Sequence, residues 1–184
     1  MANLADYAQI PIAYEVREIM EVVADGRGGF TLSARRLDTP YVKDYDAIRG
    51  EGPATWPQRF NLSNWALFAA YLNGRRVGGA VLAFRTAGLT MLEGREDLAI
   101  LWDIRVSPEV RGQGLGSALF RAAEAWAGAK GCSQLKVETQ NVNVPACRFY
   151  EAQGCVIGAI NRRAYPDLPD EVRILWNRDI PLRV

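Results

Sequence analysis

Residues Val106–Ser117 read Val-Ser-Pro-Glu-Val-Arg-Gly-Gln-Gly-Leu-Gly-Ser, with glycines at 112, 114 and 116. Glycines at spacing two leave the backbone N–H groups of Gly112, Gln113, Gly114, Leu115 and Gly116 little covered by side chains. A helical pattern begins at once, with Leu115, Leu119, Ala122, Ala123 and Trp126 on one face. The loop therefore delivers its N–H groups to a helix start, where the backbone dipole already carries partial positive charge. Arg111 adds a full charge. This is the chemistry of a receptor for phosphate or pyrophosphate; the plain alternative is a turn that only reverses the chain. A Walker loop is excluded because G-x-x-x-x-G-K-[ST] needs a Lys that is missing. A dinucleotide fingerprint is excluded by the glycine spacing and by the hairpin strands that precede it.

Other chemistry is bounded by what the chain lacks. It has 184 residues and no histidine, so neither a Ser-His-Asp or Cys-His nucleophile nor an imidazole metal site is possible. No metal is expected. A general base must be a carboxylate, Lys, Tyr, Cys or water. Lys and Arg number 22 against 21 Asp and Glu, a balance that favours neither nucleic acid nor a membrane surface. Cys132, Cys147 and Cys155 are odd in number and show no C-x-x-C spacing, which suits buried thiols in a reducing cytoplasm. The first residues show no basic region followed by an apolar one, and no apolar run approaches bilayer length.

The elements that must position the loop can be traced along the chain. At 49% apolar residues, the composition supports one domain spanning 1–184. Alternation over 10–23 predicts a strand, 25–29 a turn, and 30–37 a second short strand. The polar, Pro- and Gly-containing segment 38–57 reads as a short helix and a long loop. Residues 65–72 and 77–84 flank Asn73-Gly74, a strong hairpin signal. A strand is expected at 98–106, ended by Ser107-Pro108, then a helix at 115–130 stopped by Gly131. Strand 134–139, helix 144–153 and strands 156–160 and 172–176 complete an α/β (α+β) fold, a mixed sheet with packed helices.

Two segments together resemble the GCN5-related N-acetyltransferase (GNAT) superfamily. Arg111, Gly114 and Gly116 match its R/Q-x-x-G-x-G/A loop. Asn143, Ala146, Tyr150 and Gly154 match N-x-x-A-x-x-x-Y-x-x-x-G-F, with Cys155 in place of the usual Phe. Within the superfamily, the segments 17–22, 29–33, 40–45 and 138–147 are similar to streptothricin acetyltransferases. The likeness runs from about 15 to 162 and is weaker over 46–64 and after 163.

The resemblance implies a GNAT fold, a mixed central β-sheet with helices on both faces, and acetyl-CoA as acyl donor. It implies that Arg111–Ser117 hold the diphosphate, that the backbone at Ile104 and Val106 pairs with the pantetheine arm, and that Asn143 hydrogen-bonds it. Ala146 belongs to the same motif. Tyr150 is the expected proton donor to the leaving thiolate, since a tyrosine pKa of about 10 is close to that of an alkyl thiol; a core tyrosine is the alternative. Glu138 and Asp103, on neighbouring strands, are candidate bases or ligands for the acceptor ammonium, unless both are only exposed strand ends. Asp44 and Tyr45 are assigned to the acceptor side. Over 89–103, four acids against Arg95 give a local charge of −3, modest support for a cationic acceptor.

The expected reaction is acetylation of a primary amine on a small cationic molecule, with a streptothricin-type antibiotic as the specific case. Acetylation of a peptide or protein amine, and a non-catalytic acyl-CoA-binding module, stand as alternatives. The partner is a small-molecule amine in the cytoplasm; the sequence leaves open whether the enzyme is a homodimer.

Overall fold

Asn73 and Gly74 both adopt left-handed backbone, φ 51° and 78°, the pair that a two-residue hairpin turn requires. Around this turn the structure, a computed structural model, describes residues 4–24, 26–27, 29–48 and 50–181. In chain order the elements are α1 (Leu4–Ala8), β1 (Tyr14–Ala24), β2 (Phe30–Lys43), α2 (Trp56–Arg59), β3 (Ala66–Leu72), β4 (Arg75–Phe84) and β5 (Leu98–Val106). Then come α3 (Leu115–Ala129), β6 (Gln134–Gln140), α4 (Val144–Ala152), β7 (Val156–Asn161) and β8 (Arg173–Asp179). Among the described residues they form two compact units, one holding Leu4–Ala13, Asp44–Val137 and the residues from Arg178 to Pro181, the other Tyr14–Lys43 and Glu138–Asn177.

In the first unit the strand order is β3-β4-β5-β6, antiparallel except for β5 and β6, which run parallel. Val77–Phe84 and Leu98–Leu101 are buried on both faces. That is why they read as unbroken apolar runs and not as alternation. Helix α3 makes the crossover from β5 to β6 and buries Leu119, Phe120, Ala123 and Ala127 on one stripe. It ends as its sequence predicts: Gly131 takes φ 78°, and the Cys132 N–H closes on the Ala127 carbonyl at 3.0 Å. A second cluster of this unit packs Tyr7, Trp56, Trp65, Leu98 and Ile100, with Phe60 and Trp102 against them.

In the second unit β1 and β2 form a long antiparallel pair, and β8 lies between β7 and the second half of β6. On β1, Val16, Met20 and Val22 are buried at even spacing while Glu15, Arg17, Glu21 and Val23 face solvent. Asn141, buried, ties β1 to the residue just before β8. Its carbonyl accepts from the Met20 N–H at 2.8 Å, and its side-chain oxygen accepts from the Val172 N–H at 2.8 Å.

The fold differs from the sequence reading over 30–57. Strand β2 continues to Lys43, because Tyr41, Val42 and Lys43 pair with Val16, Glu15 and Tyr14. Asp38, Thr39 and Pro40 lie where the β1–β2 register shifts, so these turn-forming residues mark an irregularity and not the strand end. The expected helix shrinks to the four residues of α2. Asp25 and Gly28 of the expected 25–29 turn lie outside the described residues.

Candidate functional site

Strand β5 changes character at Trp102. Val81 of β4 faces Asp103 while Leu82 faces Leu101, so Trp102 is an extra residue. Parallel pairing with β6 extends from Leu98 to Leu101 and stops there. Beyond it, the Ser107 N–H donates to the Val77 carbonyl at 2.8 Å. By the alternation of an antiparallel ladder, Arg105 also turns its backbone groups to β4, and Ile104 and Val106 turn theirs to the opposite edge. Arg111 marks that edge: its Nε donates to the Val106 carbonyl at 2.9 Å.

The glycine loop follows directly. Gly112 and Gly114 have φ 76° and 82°, and a Cβ built at either meets no atom within 4 Å. These glycines are needed for left-handed backbone, with open space above them. Gly114 is the N-cap of α3 and, having no side chain, makes no capping hydrogen bond of its own. Leu115, Gly116 and Ser117, all half-buried, form its first turn. Open space over a glycine-capped helix start fits a phosphate. The outward edge at Ile104 and Val106 fits an extended amide-bearing arm.

The residues of the second motif lie in the second unit. Asn143 caps α4, its side-chain oxygen accepting from the Ala146 N–H at 3.2 Å. Tyr150 lies on the buried face of α4, 4% exposed. The helix closes on Gly154, φ 77°, with the Cys155 N–H donating to the Tyr150 carbonyl at 3.0 Å. The motif's glycine is thus a helix stop, and its Phe position is a buried site filled here by a thiol.

Glu138, half-buried on β6, accepts a hydrogen bond from the Tyr165 hydroxyl at 2.7 Å. The Tyr165 oxygen in turn accepts from Gln140 Nε2 at 2.6 Å, and Arg173 Nη1 lies 3.9 Å from Glu138. Burial, then the charge of Glu138, raises the Tyr165 pKa well above the ordinary tyrosine value.

Asp103 belongs to the first unit. Arg105 Nε bonds Asp103 Oδ1 at 3.0 Å and its Nη2 bonds Oδ2 at 2.8 Å, while the Tyr7 hydroxyl donates to Oδ1 at 2.6 Å. Arg105 also holds Asp46 (Nη2–Oδ1 2.9 Å), and its side chain is 1% exposed. Burial opposes the charge on Arg105, but hydrogen bonds to Asp103 and Asp46 outweigh it and raise its pKa. Asp44 accepts from the Asp46 N–H at 3.0 Å, so this network also anchors the turn carrying Asp44 and Tyr45. The other acids of 89–103 are partnered too: Glu93 with Lys136, Glu96 with Arg85, Asp97 with Arg95. The local negative charge is therefore largely compensated within the fold.

Sequence reasoning passed over Arg105, Tyr7, Asp46 and Tyr165. Arg105 was detectable, since positions 103 and 105 share one strand face and carry opposite charges. Tyr165 sits in a coil and left no periodic signal. Among the described residues, no group of three or more His, Cys, Asp or Glu is placed to hold a metal, and no helix is long and apolar enough to cross a membrane.

The profile of the Acetyltransferase (GNAT) family matches residues 36–155. The chain belongs to this family. It is an acetyl-CoA-dependent N-acetyltransferase, and its strand order and helices are those of the GNAT fold. It is 28% identical to streptothricin acetyltransferase A of Bacillus subtilis (strain 168), covering 81% of this chain and 79% of that one. It is 29% identical to a streptothricin acetyltransferase of Escherichia coli, covering 88% and 82%. A crystal structure of a Bacillus anthracis str. Ames protein, provisionally assigned as a streptothricin acetyltransferase and bound to acetyl coenzyme A, superposes with a TM-score of 0.76. That match has 25% identity and covers 96% and 94% of the two chains.

Proposed function

We propose that this acetyltransferase modifies a primary amine of a small cationic acceptor, and that the acceptor is a streptothricin-type antibiotic. The observation that carries the reading is one of continuity: the outward edge at Ile104 and Val106 runs straight into the glycine loop and the glycine-capped start of α3. Likeness to streptothricin acetyltransferases over four-fifths of the chain supports the acceptor.

Acetyl-CoA supplies an activated acetyl thioester. The N–H groups from Gly112 to Ser117 and the Arg111 guanidinium hold its diphosphate. The backbone of Ile104 and Val106 receives the pantetheine arm as an added strand, and an N–H near Val106 polarises the thioester carbonyl. The Asn143 side chain and Ala146 complete that binding. Glu138 receives the proton that the acceptor ammonium must lose before it can attack. Tyr150 gives a proton to the departing thiolate. Asp103, with both oxygens bonded by Arg105, serves the acceptor side as a held ligand group and not as the base, and Asp44 and Tyr45 meet the acceptor. The buried thiols of Cys132, Cys147 and Cys155 agree with a cytoplasmic setting.

Thiol release from acetyl-CoA, measured with streptothricin and with peptide amines, tests the reading. Release dependent on streptothricin, with acetylated product by mass spectrometry, supports it. Release only with peptides favours a protein-amine enzyme, and CoA binding with no release for any amine favours a binding module.

A further inference from the structure

The coil after β7 sends one side chain to the proposed base. The Tyr165 hydroxyl has a donor on one side, Gln140 Nε2 at 2.6 Å, and an acceptor on the other, Glu138 at 2.7 Å. Glu138 and Gln140 stand on the same face of β6, two residues apart, so a single hydroxyl reaches both. The direction of the chain of bonds is fixed by chemistry. An amide N–H2 can only donate, so the tyrosine oxygen accepts from Gln140 and spends its one proton on Glu138. Arg173, the charged group of β8 nearest Glu138, stands 3.9 Å away, beyond a direct hydrogen bond. Among the described residues, Tyr165 is the side chain that fixes where the Glu138 carboxylate points.

We infer that Tyr165 is the positioning residue for Glu138 in acetyl transfer, holding the carboxylate for the acceptor's ammonium group through the relay Gln140–Tyr165–Glu138. This rests on the reading of Glu138 as the acceptor-side base. Because Tyr165 donates its proton to one Glu138 oxygen, the lone pairs of the other stay available for the acceptor. Tyr165 itself transfers no proton: burial and the Glu138 charge both keep it protonated.

The test is a cycle of Tyr165→Phe and Glu138→Ala on the full chain, with streptothricin as acceptor. Removing a hydrogen bond to a charged group predicts that Tyr165→Phe lowers kcat/KM for streptothricin about tenfold or more. The KM for acetyl-CoA stays near wild type, and the melting temperature falls by only a few degrees, since the ring still packs. In the Glu138→Ala background, Tyr165→Phe then has no further effect, the signature of one residue acting through another. Gln140→Leu, which removes the donor that orients the hydroxyl, gives a weaker form of the same pattern and serves if Tyr165→Phe does not fold. Equal losses in both backgrounds overturn the inference, because Tyr165 then acts on its own. A wild-type Tyr165→Phe beside a crippled Glu138→Ala overturns it and leaves the role of Glu138 standing. Full activity in Glu138→Ala, or no acetylation of streptothricin by the wild type, removes the underlying reading and this inference with it.

Discussion

Arg105 reaches back two residues along its own strand and bonds both oxygens of Asp103, at 3.0 and 2.8 Å. The two side chains are 1% and 8% exposed. Removing one partner of such a pair strands a buried charge, and this costs about 3–5 kcal/mol. Arg105→Ala is therefore expected to lower unfolding free energy by that amount in urea titrations. Arg105→Lys should recover only part of it, because an ammonium cannot bond Asp103 and Asp46 as a fork. A loss below about 1 kcal/mol in Arg105→Ala would show that the network is not structural.

Gly114→Val targets the diphosphate loop. The substitution places a branched side chain in the open space above α3 and strains a residue at φ 82°. Calorimetry should show acetyl-CoA affinity falling by at least tenfold, while circular dichroism keeps the native spectrum. Unchanged affinity removes the loop from the binding site.

Tyr150→Phe deletes the proposed proton donor and keeps the ring that α4 buries. General-acid catalysis is typically worth about 10²–10⁴-fold, and water can replace part of it, so the drop in kcat should lie near the lower end. Acetyl-CoA affinity should stay within a few-fold. A kcat within twofold of wild type assigns Tyr150 to packing alone.

Cys147 gives a pH dependence with a defined sign. Burial pushes its thiol up to about 11 from an ordinary 9.0. The unfolded chain loses this proton first as pH rises, so stability is fully present below about pH 9 and falls between pH 9 and about 11. Melting temperatures across that window should decline, and Cys147→Ala should flatten the decline. Tyr7, raised by burial and then by the charge of Asp103, adds to the slope at its upper end.

Much of the fold could be read ahead because local rules and tertiary structure agree in it. Asn73-Gly74 places a turn, Gly131 and Gly154 stop two helices, and Leu98–Val106 is a strand at both stated ends. The segment 38–57 failed because its outcome rests on pairing with β1 across the chain, which composition does not encode. The glycine loop was legible for a related reason: its chemistry lives in consecutive backbone groups. Glu138 and Asp103 were legible only as candidates. What separates them is the company each keeps, Tyr165 for one and Arg105 for the other, and both partnerships are made by folding.

The extra residue at Trp102 has a consequence for how this chain tolerates changes of length. The ladder with β4 is regular on both sides of it, so losing one residue at 102 restores unbroken alternation. Ile104 and Val106 would keep their outward edge, and the Asp103 and Arg105 side chains would keep the face of Tyr7 and Asp46. A deletion between Asp103 and Val106 finds no such slack. A strand repeats every two residues, so it would turn the backbone groups of Val106 to β4 and carry the Arg105 side chain to the face opposite Asp103. That deletion costs donor docking and the buried ion network together, while an added residue in the turn at 73–74 disturbs neither. Insertions and deletions in proteins built on this plan should collect at such turns or at 102, and avoid 103–106.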